Sequence, residues 1–124
     1  MWNKLFAMFL LFCIQSIANG QDFIIDTVEL AAKEDKKTII IFGADYCFWC
    51  HKLEKLIKED QEVSKELSSY VILHLDLEKD EELAKKYKVK SVPAIFVLDE
   101  NGEIEKKQIG FNGKNQFIKF LQDN

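Results

Sequence analysis

Cys47 and Cys50 are the residues whose types and spacing most directly suggest chemistry. Phe48 and Trp49 separate them, and at helical pitch this spacing brings both sulfurs to one face of one turn, close enough to bond. The apolar pattern places the pair where a buried strand ends and an amphipathic helix begins. The N–H groups at a helix N-terminus stabilise a thiolate on Cys47, the cysteine predicted to be more exposed. That thiolate can attack a substrate disulfide, and Cys50 can then resolve the mixed disulfide.

Three other interpretations of this pair are open. A purely structural disulfide would close a very short loop, so its gain from loop entropy would lie near the bottom of the usual range. A zinc site needs two further ligands, and the only histidines are His51, next to Cys50, and His74, within an apolar stretch. Covalent haem is the strongest rival, because the residues read C-x-x-C-H, but both methionines lie near the N-terminus and leave only His74 as a second axial ligand. The balance favours a functional dithiol with no metal and no cofactor.

The first residues of the chain have the three-part layout of a secretory signal peptide. Lys4 provides a positive charge, residues 5–14 form an uncharged apolar run, and small residues follow at Ser16 and Ala18. A membrane span needs about 20 apolar residues, so this run is short for a permanent anchor. We predict cleavage after Ala18, with an uncleaved anchor as the alternative.

Composition agrees with a small exported domain. The 124 residues suffice for one domain, and the predicted cleavage divides them into a signal peptide, 1–18, and a mature domain, 19–124. Cys13 leaves with the signal, so three cysteines become one pair in an oxidising compartment. The bacterial periplasm is the predicted location, with secretion or the lumen of a secretory pathway as alternatives.

The charge balance of the chain argues against nucleic acid as a partner. The 17 basic residues, all Lys, are outnumbered by 21 acidic ones, and the net charge is −4.

Alternating helices and strands are predicted by the apolar pattern of the mature chain. We expect helices over 26–35, 51–58, 80–87 and 115–122, and the apolar face of the second continues to residue 67. The expected strands cover 38–42, 70–75, 94–98 and 103–109. A short strand at 23–25 is an option. Strands separated by helices are expected to run parallel, and Asn101-Gly102 predicts a hairpin that adds an antiparallel edge. The predicted fold class is α/β, with a central mixed sheet flanked by helices.

The sequence resembles the thioredoxin family. The likeness lies in residues 42–50, in residues 88–96, in Asn101-Gly102 and in Gly110, and it extends over about 28–121. The resemblance is to small exported thioredoxin-like proteins and to the soluble thioredoxin-like domain of transmembrane disulfide reductases. It implies a thioredoxin-like fold, disulfide exchange with protein thiols and disulfides, and a membrane-bound electron donor as a partner.

The resemblance also implies roles for individual residues. Most X–Pro bonds are trans, yet the family likeness implies that Val92–Pro93 is cis and packs against the dithiol. Val92 would then offer its backbone N–H and C=O to a substrate that adds like a short strand. Tyr46, Phe48 and Trp49 would form an exposed apolar rim for the substrate, with packing in the core as the alternative for these side chains.

One departure from the common cytosolic thioredoxins concerns proton transfer. Those proteins carry a buried acid six residues before the first cysteine, where this chain has Ile41. That acid is thought to relay the proton of the resolving cysteine, so Cys50 needs another route. Asp45, His51 and water are the candidates, and the alternative for His51 is an ordinary solvated helix residue.

The length of the chain between the dithiol and the proline bears on the direction of the reaction. About forty residues separate Cys50 from Pro93, which leaves no room for the helical insertion of the strongly oxidising periplasmic enzymes. No dimerisation domain is expected before the fold, unlike in dimeric isomerases. We therefore expect a monomer in a reductase role. The alternative hypothesis is a thioredoxin-fold binding or chaperone module whose redox activity is incidental.

Overall fold

A computed structural model of the chain describes residues 20–123, so the predicted signal peptide over 1–18 lies outside the described residues. In chain order the elements are α1 (Gly20–Lys33), β1 (Lys37–Gly43), α2 (Phe48–Glu59), α3 (Gln61–Leu67), β2 (Tyr70–Asp76), α4 (Glu81–Lys86), β3 (Ala94–Leu98), β4 (Ile104–Ile109) and α5 (Lys114–Gln122). None of the helices in this part of the chain has the length and apolar content required to cross a bilayer.

The four strands form one mixed sheet in the order β2-β1-β3-β4. β1 and β2 run parallel, whereas β3 is antiparallel to both β1 and β4. The expectation that strands separated by helices run parallel therefore holds for β1 and β2 and is wrong for β3. The connection over 77–93, which contains α4, leaves β2 and enters β3 at the same edge of the sheet, because Ala94 at the start of β3 pairs with Phe42 near the end of β1.

Alternate side chains of the sheet feed two apolar cores, one on each face. On one face, α1 and α4 cover a core that includes Ile24, Val28, Ile40, Phe42, Leu83 and Phe96. On the other face, α2, α3 and α5 cover a core that includes Ile39, Ile41, Leu53, Val63, Ile95 and Phe117. Because β1 and β3 lie between these two layers, their inner residues are buried throughout, as their continuous apolar runs predict. The α/β fold class with a mixed central sheet is confirmed.

The first helix differs from its prediction. α1 begins by Gly20, and residues 23–25 are helical, so the optional short strand there is wrong. Ile24 and Val28 are buried four residues apart on one face of α1, whereas Phe23 and Ile25 are exposed. The apolar cluster at 23–25 therefore follows helical periodicity and not the alternation of a strand.

The predicted helical run over 51–67 consists of two helices that meet at Asp60. The backbone of Asp60 is extended (φ −91°, ψ 122°), and its side chain accepts a hydrogen bond from the N–H of Val63 at 3.1 Å. Asp60 thus ends α2 and caps α3. The predicted hairpin is confirmed: Asp99 Oδ1 accepts N–H bonds from Asn101 and Glu103, and β4 returns antiparallel to β3.

Candidate active site

The end of β1 and the start of α2 position the two cysteines. After β1, the N–H of Cys47 donates to the carbonyl oxygen of Ala44 at 3.1 Å, which turns the chain into the helix. Cys47 is the N-cap of α2, with an extended backbone (φ −89°, ψ 107°). Its sulfur occupies the place that a capping oxygen usually takes, because it accepts the N–H of Cys50 at 3.1 Å. One N–H of the first turn of the helix is thereby directed at this sulfur.

The two sulfurs form a disulfide, with an S–S distance of 2.27 Å and a Cα–Cα distance of 5.2 Å. Cys47 retains 9% of its surface and Cys50 only 4%. Both pack with Ala44 and the half-buried Val92 in a small cluster beside the main cores. Cys47 is thus the sulfur nearer to solvent, and Cys50 lies behind it.

The loop before β3 packs against this disulfide. The Val92–Pro93 peptide bond is cis, as the family likeness implied. The carbonyl oxygen of Val92 lies 3.7 Å from Cys47 Sγ, and Pro93 is fully buried. Within residues 20–123, neither the N–H nor the carbonyl oxygen of Val92 takes part in a backbone hydrogen bond. Both backbone groups are therefore available beside the sulfur.

Three aromatic side chains surround the disulfide at the surface. Tyr46, Phe48 and Trp49 are 70%, 62% and 54% exposed. The rings of Phe48 and Trp49 meet edge to face with their centroids 5.2 Å apart, and Lys52 Nζ lies 5.4 Å from the Phe48 ring centroid. Single exposed apolar residues are ordinary, but a group of three next to a reactive sulfur is the kind of patch that marks a binding surface. These side chains lie at the surface and not in the core.

His51 and Asp45 lie beside the disulfide but interact mainly with each other. His51 Nε2 is 2.7 Å from the backbone carbonyl oxygen of Asp45, to which it can only donate. The other ring nitrogen, Nδ1, is 3.8 Å from a carboxylate oxygen of Glu54. Asp45 thus contributes its backbone to this contact and not its carboxylate. Both residues are exposed.

A cavity of about 370 Å³ opens between the carboxyl ends of β1 and β2 and the first turns of α2. Cys50, Ile41 and His74 are among its lining residues. Sequence reasoning treated His74 only as a possible metal or haem ligand and missed its place beside the dithiol. The pairing of two parallel strands could have revealed it, because Ile41 and His74 are register partners.

The comparisons with known proteins agree with this geometry. A family model described as a thioredoxin-like domain matches residues 26–124. The thiol:disulfide interchange protein DsbD of Actinobacillus pleuropneumoniae is 32% identical in an alignment of 114 positions that covers 87% of this chain and 18% of that protein. A thioredoxin of Rickettsia bellii is 31% identical over 97 residues, which cover 77% of this chain and 89% of that protein. The chain thus spans less than a fifth of its DsbD relative and most of the thioredoxin.

Solved structures give the same result for the fold. The oxidised C-terminal domain of DsbD from Neisseria meningitidis superposes with a TM-score of 0.67 at 22% identity, covering 82% of this chain and 93% of that one. A thioredoxin from Thermus thermophilus superposes with a TM-score of 0.68 at 21% identity, covering 78% and 79%.

Proposed function

The chain belongs to the thioredoxin-like family of thiol–disulfide oxidoreductases, and from this premise we propose that it is exported and reduces disulfides of protein substrates. The observation that carries the proposal is the disulfide itself. Its outer sulfur, Cys47 Sγ, caps a helix and lies beside a backbone segment that is free to bind a substrate. Cys47 is the proposed attacking residue, and Cys50 is the proposed resolving residue.

Reduction of a substrate proceeds in two exchange steps that start from the dithiol. The Cys47 thiolate attacks one sulfur of the substrate disulfide, forms a mixed disulfide and expels the other substrate sulfur as a thiolate. Cys50 then attacks Cys47 Sγ, forms the Cys47–Cys50 bond and releases the second substrate thiolate. Two electrons pass from the dithiol to the substrate. The N–H of Cys50, 3.1 Å from Cys47 Sγ, supports the thiolate that begins the sequence.

The substrate is proposed to bind along the loop that ends at Pro93. An extended peptide can pair with the N–H and carbonyl oxygen of Val92, as an added strand does. Its apolar side chains would then contact the rim formed by Tyr46, Phe48 and Trp49. Backbone pairing makes binding tolerant of sequence, and the rim favours apolar residues next to the substrate cysteine.

The surroundings of Cys47 support the reducing direction. A strong oxidant of this type holds its reduced form in a stabilised state. Here one backbone N–H is bonded to Cys47 Sγ, and within the described residues no Lys or His side chain donates to it. Between Cys50 and Pro93 the chain forms the rest of α2, then α3, β2 and α4, without an inserted helical domain. Because few groups stabilise the Cys47 thiolate, the reduced form is not strongly favoured, and the dithiol is expected to give its electrons to substrates.

Location and partners are proposed on two grounds. The signal-like layout of residues 1–18 supports export, with the bacterial periplasm as the compartment. The DsbD relative bears the name of a thiol:disulfide interchange protein, and the likeness to domains of transmembrane reductases supports a membrane-bound electron donor. We propose a monomer that acts on protein thiols and disulfides.

Turnover of insulin disulfides with dithiothreitol as the terminal reductant tests the activity. The wild-type protein is expected to accelerate reduction, and Cys47→Ser is expected to abolish the acceleration because the attacking sulfur is lost. Lys107→Gln, which changes an exposed side chain on the β4 edge of the sheet, is the control expected to retain full activity. A wild-type protein without dithiol-dependent turnover would refute the proposal and favour a binding module.

The reduction potential of the pair tests the direction. Equilibration with glutathione or dithiothreitol buffers is expected to give a potential near or below about −250 mV, close to the value of about −270 mV for thioredoxin. A value near −120 mV, as in DsbA, would reverse the proposed direction while leaving the exchange chemistry intact.

A further inference from the structure

The cavity beside Cys50 connects the buried sulfur with solvent. Its volume of about 370 Å³ has room for several water molecules, each of which occupies about 30 Å³ in the liquid. Residues from three elements line it: the end of β1, the first turns of α2 and the end of β2. The space between these elements is therefore large enough for water beside Cys50.

His74 lies on the wall of this cavity because of strand register. β2 pairs parallel with β1, and His74 is the register partner of Ile41. Paired residues of adjacent strands point to the same face. Ile41 packs with Leu53 of α2, so this is the face that carries the dithiol helix. His74 is also exposed, which gives the imidazole contact with both the cavity and bulk solvent.

Cys50 needs a proton acceptor in order to resolve the mixed disulfide. A thiol in apolar surroundings keeps its proton, and only the thiolate attacks. Cys50 is 4% exposed. The residue of β1 that lines the cavity next to it, Ile41, is apolar and cannot accept a proton. The acceptor must therefore come from another side of the cavity.

The charged groups around the cavity are mostly engaged elsewhere. The backbone N–H groups of Lys79 and Glu78 hold the pKa of Asp76 below its usual value, so this carboxylate is a poor proton acceptor. Asp80 accepts the N–H of Asp76 at 2.8 Å, and the cationic ammonium of Lys79 has no site for a proton.

On α2 and the loop before it, the imidazole of His51 is also engaged, while Asp45 and Glu54 present exposed carboxylates, which as a class are weaker bases than imidazole. His51 donates to the carbonyl of Asp45, and its second nitrogen faces the carboxylate of Glu54. The imidazole of His74, by contrast, has no hydrogen-bond or ion-pair partner among residues 20–123. The imidazole of His74 therefore has a ring nitrogen that is available to accept a proton.

We propose that His74 accepts the proton of Cys50, through water in this cavity, when Cys50 resolves the mixed disulfide. The Cys50 thiol loses its proton to water and thence to the imidazole, and the resulting thiolate attacks Cys47 Sγ. The Cys47–Cys50 bond forms, the bond from Cys47 to the substrate sulfur breaks, and the substrate leaves as a thiolate with the electron pair. The imidazolium then returns its proton to solvent on its exposed side. This step rests on the proposed function.

Single-turnover reaction of the reduced protein with 5,5′-dithiobis(2-nitrobenzoate) separates the two exchange steps. The first release of nitrothiobenzoate reports attack by Cys47, and the second reports resolution by Cys50. In the wild-type protein the second rate is expected to rise through pH 5–8, the range in which histidine side chains become neutral. In His74→Gln we expect the second rate to fall about tenfold or more at pH 7 and to lose this inflection. The first rate is expected to be unchanged, which also shows that the variant is folded around Cys47.

Two further variants make the test decisive. Lys107→Gln, on the opposite edge of the sheet, is expected to keep both rates and the inflection. A normal second rate and profile in His74→Gln would overturn the inference, and loss of the inflection in His51→Gln alone would assign the proton to His51. Absence of the first phase in the wild-type protein would instead refute the proposed function, so the two failures are distinguishable.

Discussion

At the scale of single residues, the side chains of Cys47 and Cys50 are identical but have different surroundings. Cys47 Sγ accepts a helix N–H and lies beside the backbone of Val92. Cys50 Sγ lies deeper and borders a cavity that it shares with His74. These surroundings suit the attacking role that we propose for the outer sulfur and the resolving role that we propose for the inner one. The proposed difference in role follows from position within one helical turn.

The aromatic rim gives a prediction at this scale. Trp49→Ala removes a large apolar surface beside Cys47 Sγ, and contacts of this size contribute about 1–2 kcal/mol to binding when buried. We expect kcat/KM for insulin disulfides to fall about tenfold, whereas the rate with the small disulfide 5,5′-dithiobis(2-nitrobenzoate) changes less than twofold. Leu30→Ala, which removes an equally exposed apolar side chain from α1, is the control. An equal loss on both substrates would place Trp49 in the chemistry and not in substrate binding.

How much of the site is predictable from sequence depends on whether a feature is local. The spacing of Cys47 and Cys50 at a strand–helix junction predicts the disulfide, because one helical turn contains both residues. The cis bond before Pro93 came from the family likeness, since the residues alone favour trans. The position of His74 beside Cys50 depends on the register of β2 against β1. Register is set by the packing of the whole sheet, and local patterns do not contain it.

At the scale of elements, most strands and helices follow their apolar patterns, and the exceptions have causes outside these patterns. The sequence predicts the short helix α4, but the edge of the sheet at which the chain enters β3 is set by the path of the whole connection over 77–93, which apolar periodicity does not reveal. The division between α2 and α3 depends on the extended backbone of a single residue, Asp60. The apolar residues before and after Asp60 keep helical spacing, so apolar periodicity does not show where α2 ends and α3 begins. Only the capping role of Asp60 marks this boundary.

Asp60 yields a prediction about stability and pH. Its side chain bonds to Lys114 at 2.8 Å and accepts the N–H of Val63, and these contacts lower the pKa of Asp60. A carboxylate whose pKa is lower in the folded state stabilises the fold above its unfolded pKa of about 3.9 and loses this effect as the pH falls through the folded value. Asp60→Asn retains a capping side chain but removes the charge. We therefore expect a lower free energy of unfolding at pH 7 and no difference near pH 2.

Urea titrations at several pH values measure this effect. Asp26→Asn, which neutralises an exposed acid on α1, is the matched control and is expected to show no such trend. A difference between Asp60→Asn and wild type that persists at pH 2 would show that the cap geometry, and not the charge, links α3 to α5.

At the scale of the whole molecule, the sheet topology gathers the site at one edge. Phe42 pairs with Ala94, so the carboxyl end of β1 lies beside the amino end of β3. Cys47 follows the first strand and Pro93 precedes the other, and the two segments meet because the strands run in opposite directions. β2 ends at the same edge and brings His74. The antiparallel direction of β3, which sequence reasoning missed, is therefore what brings the disulfide next to the loop that we propose binds the substrate.

The direction of electron flow has a consequence for the stability of the whole fold. Closing the loop from Cys47 to Cys50 is expected to stabilise the oxidised protein by about 2 kcal/mol through loop entropy. Strong thiolate stabilisation would oppose this by favouring the reduced fold, as in an oxidant, but among the described residues 20–123 Cys47 Sγ accepts a single N–H. We therefore expect urea denaturation at pH 7 to give a free energy of unfolding about 2 kcal/mol higher for the oxidised protein than for the reduced one. Cys47→Ser should show no such dependence on redox state, and a reduced wild-type protein more stable than the oxidised one would contradict a reductase role.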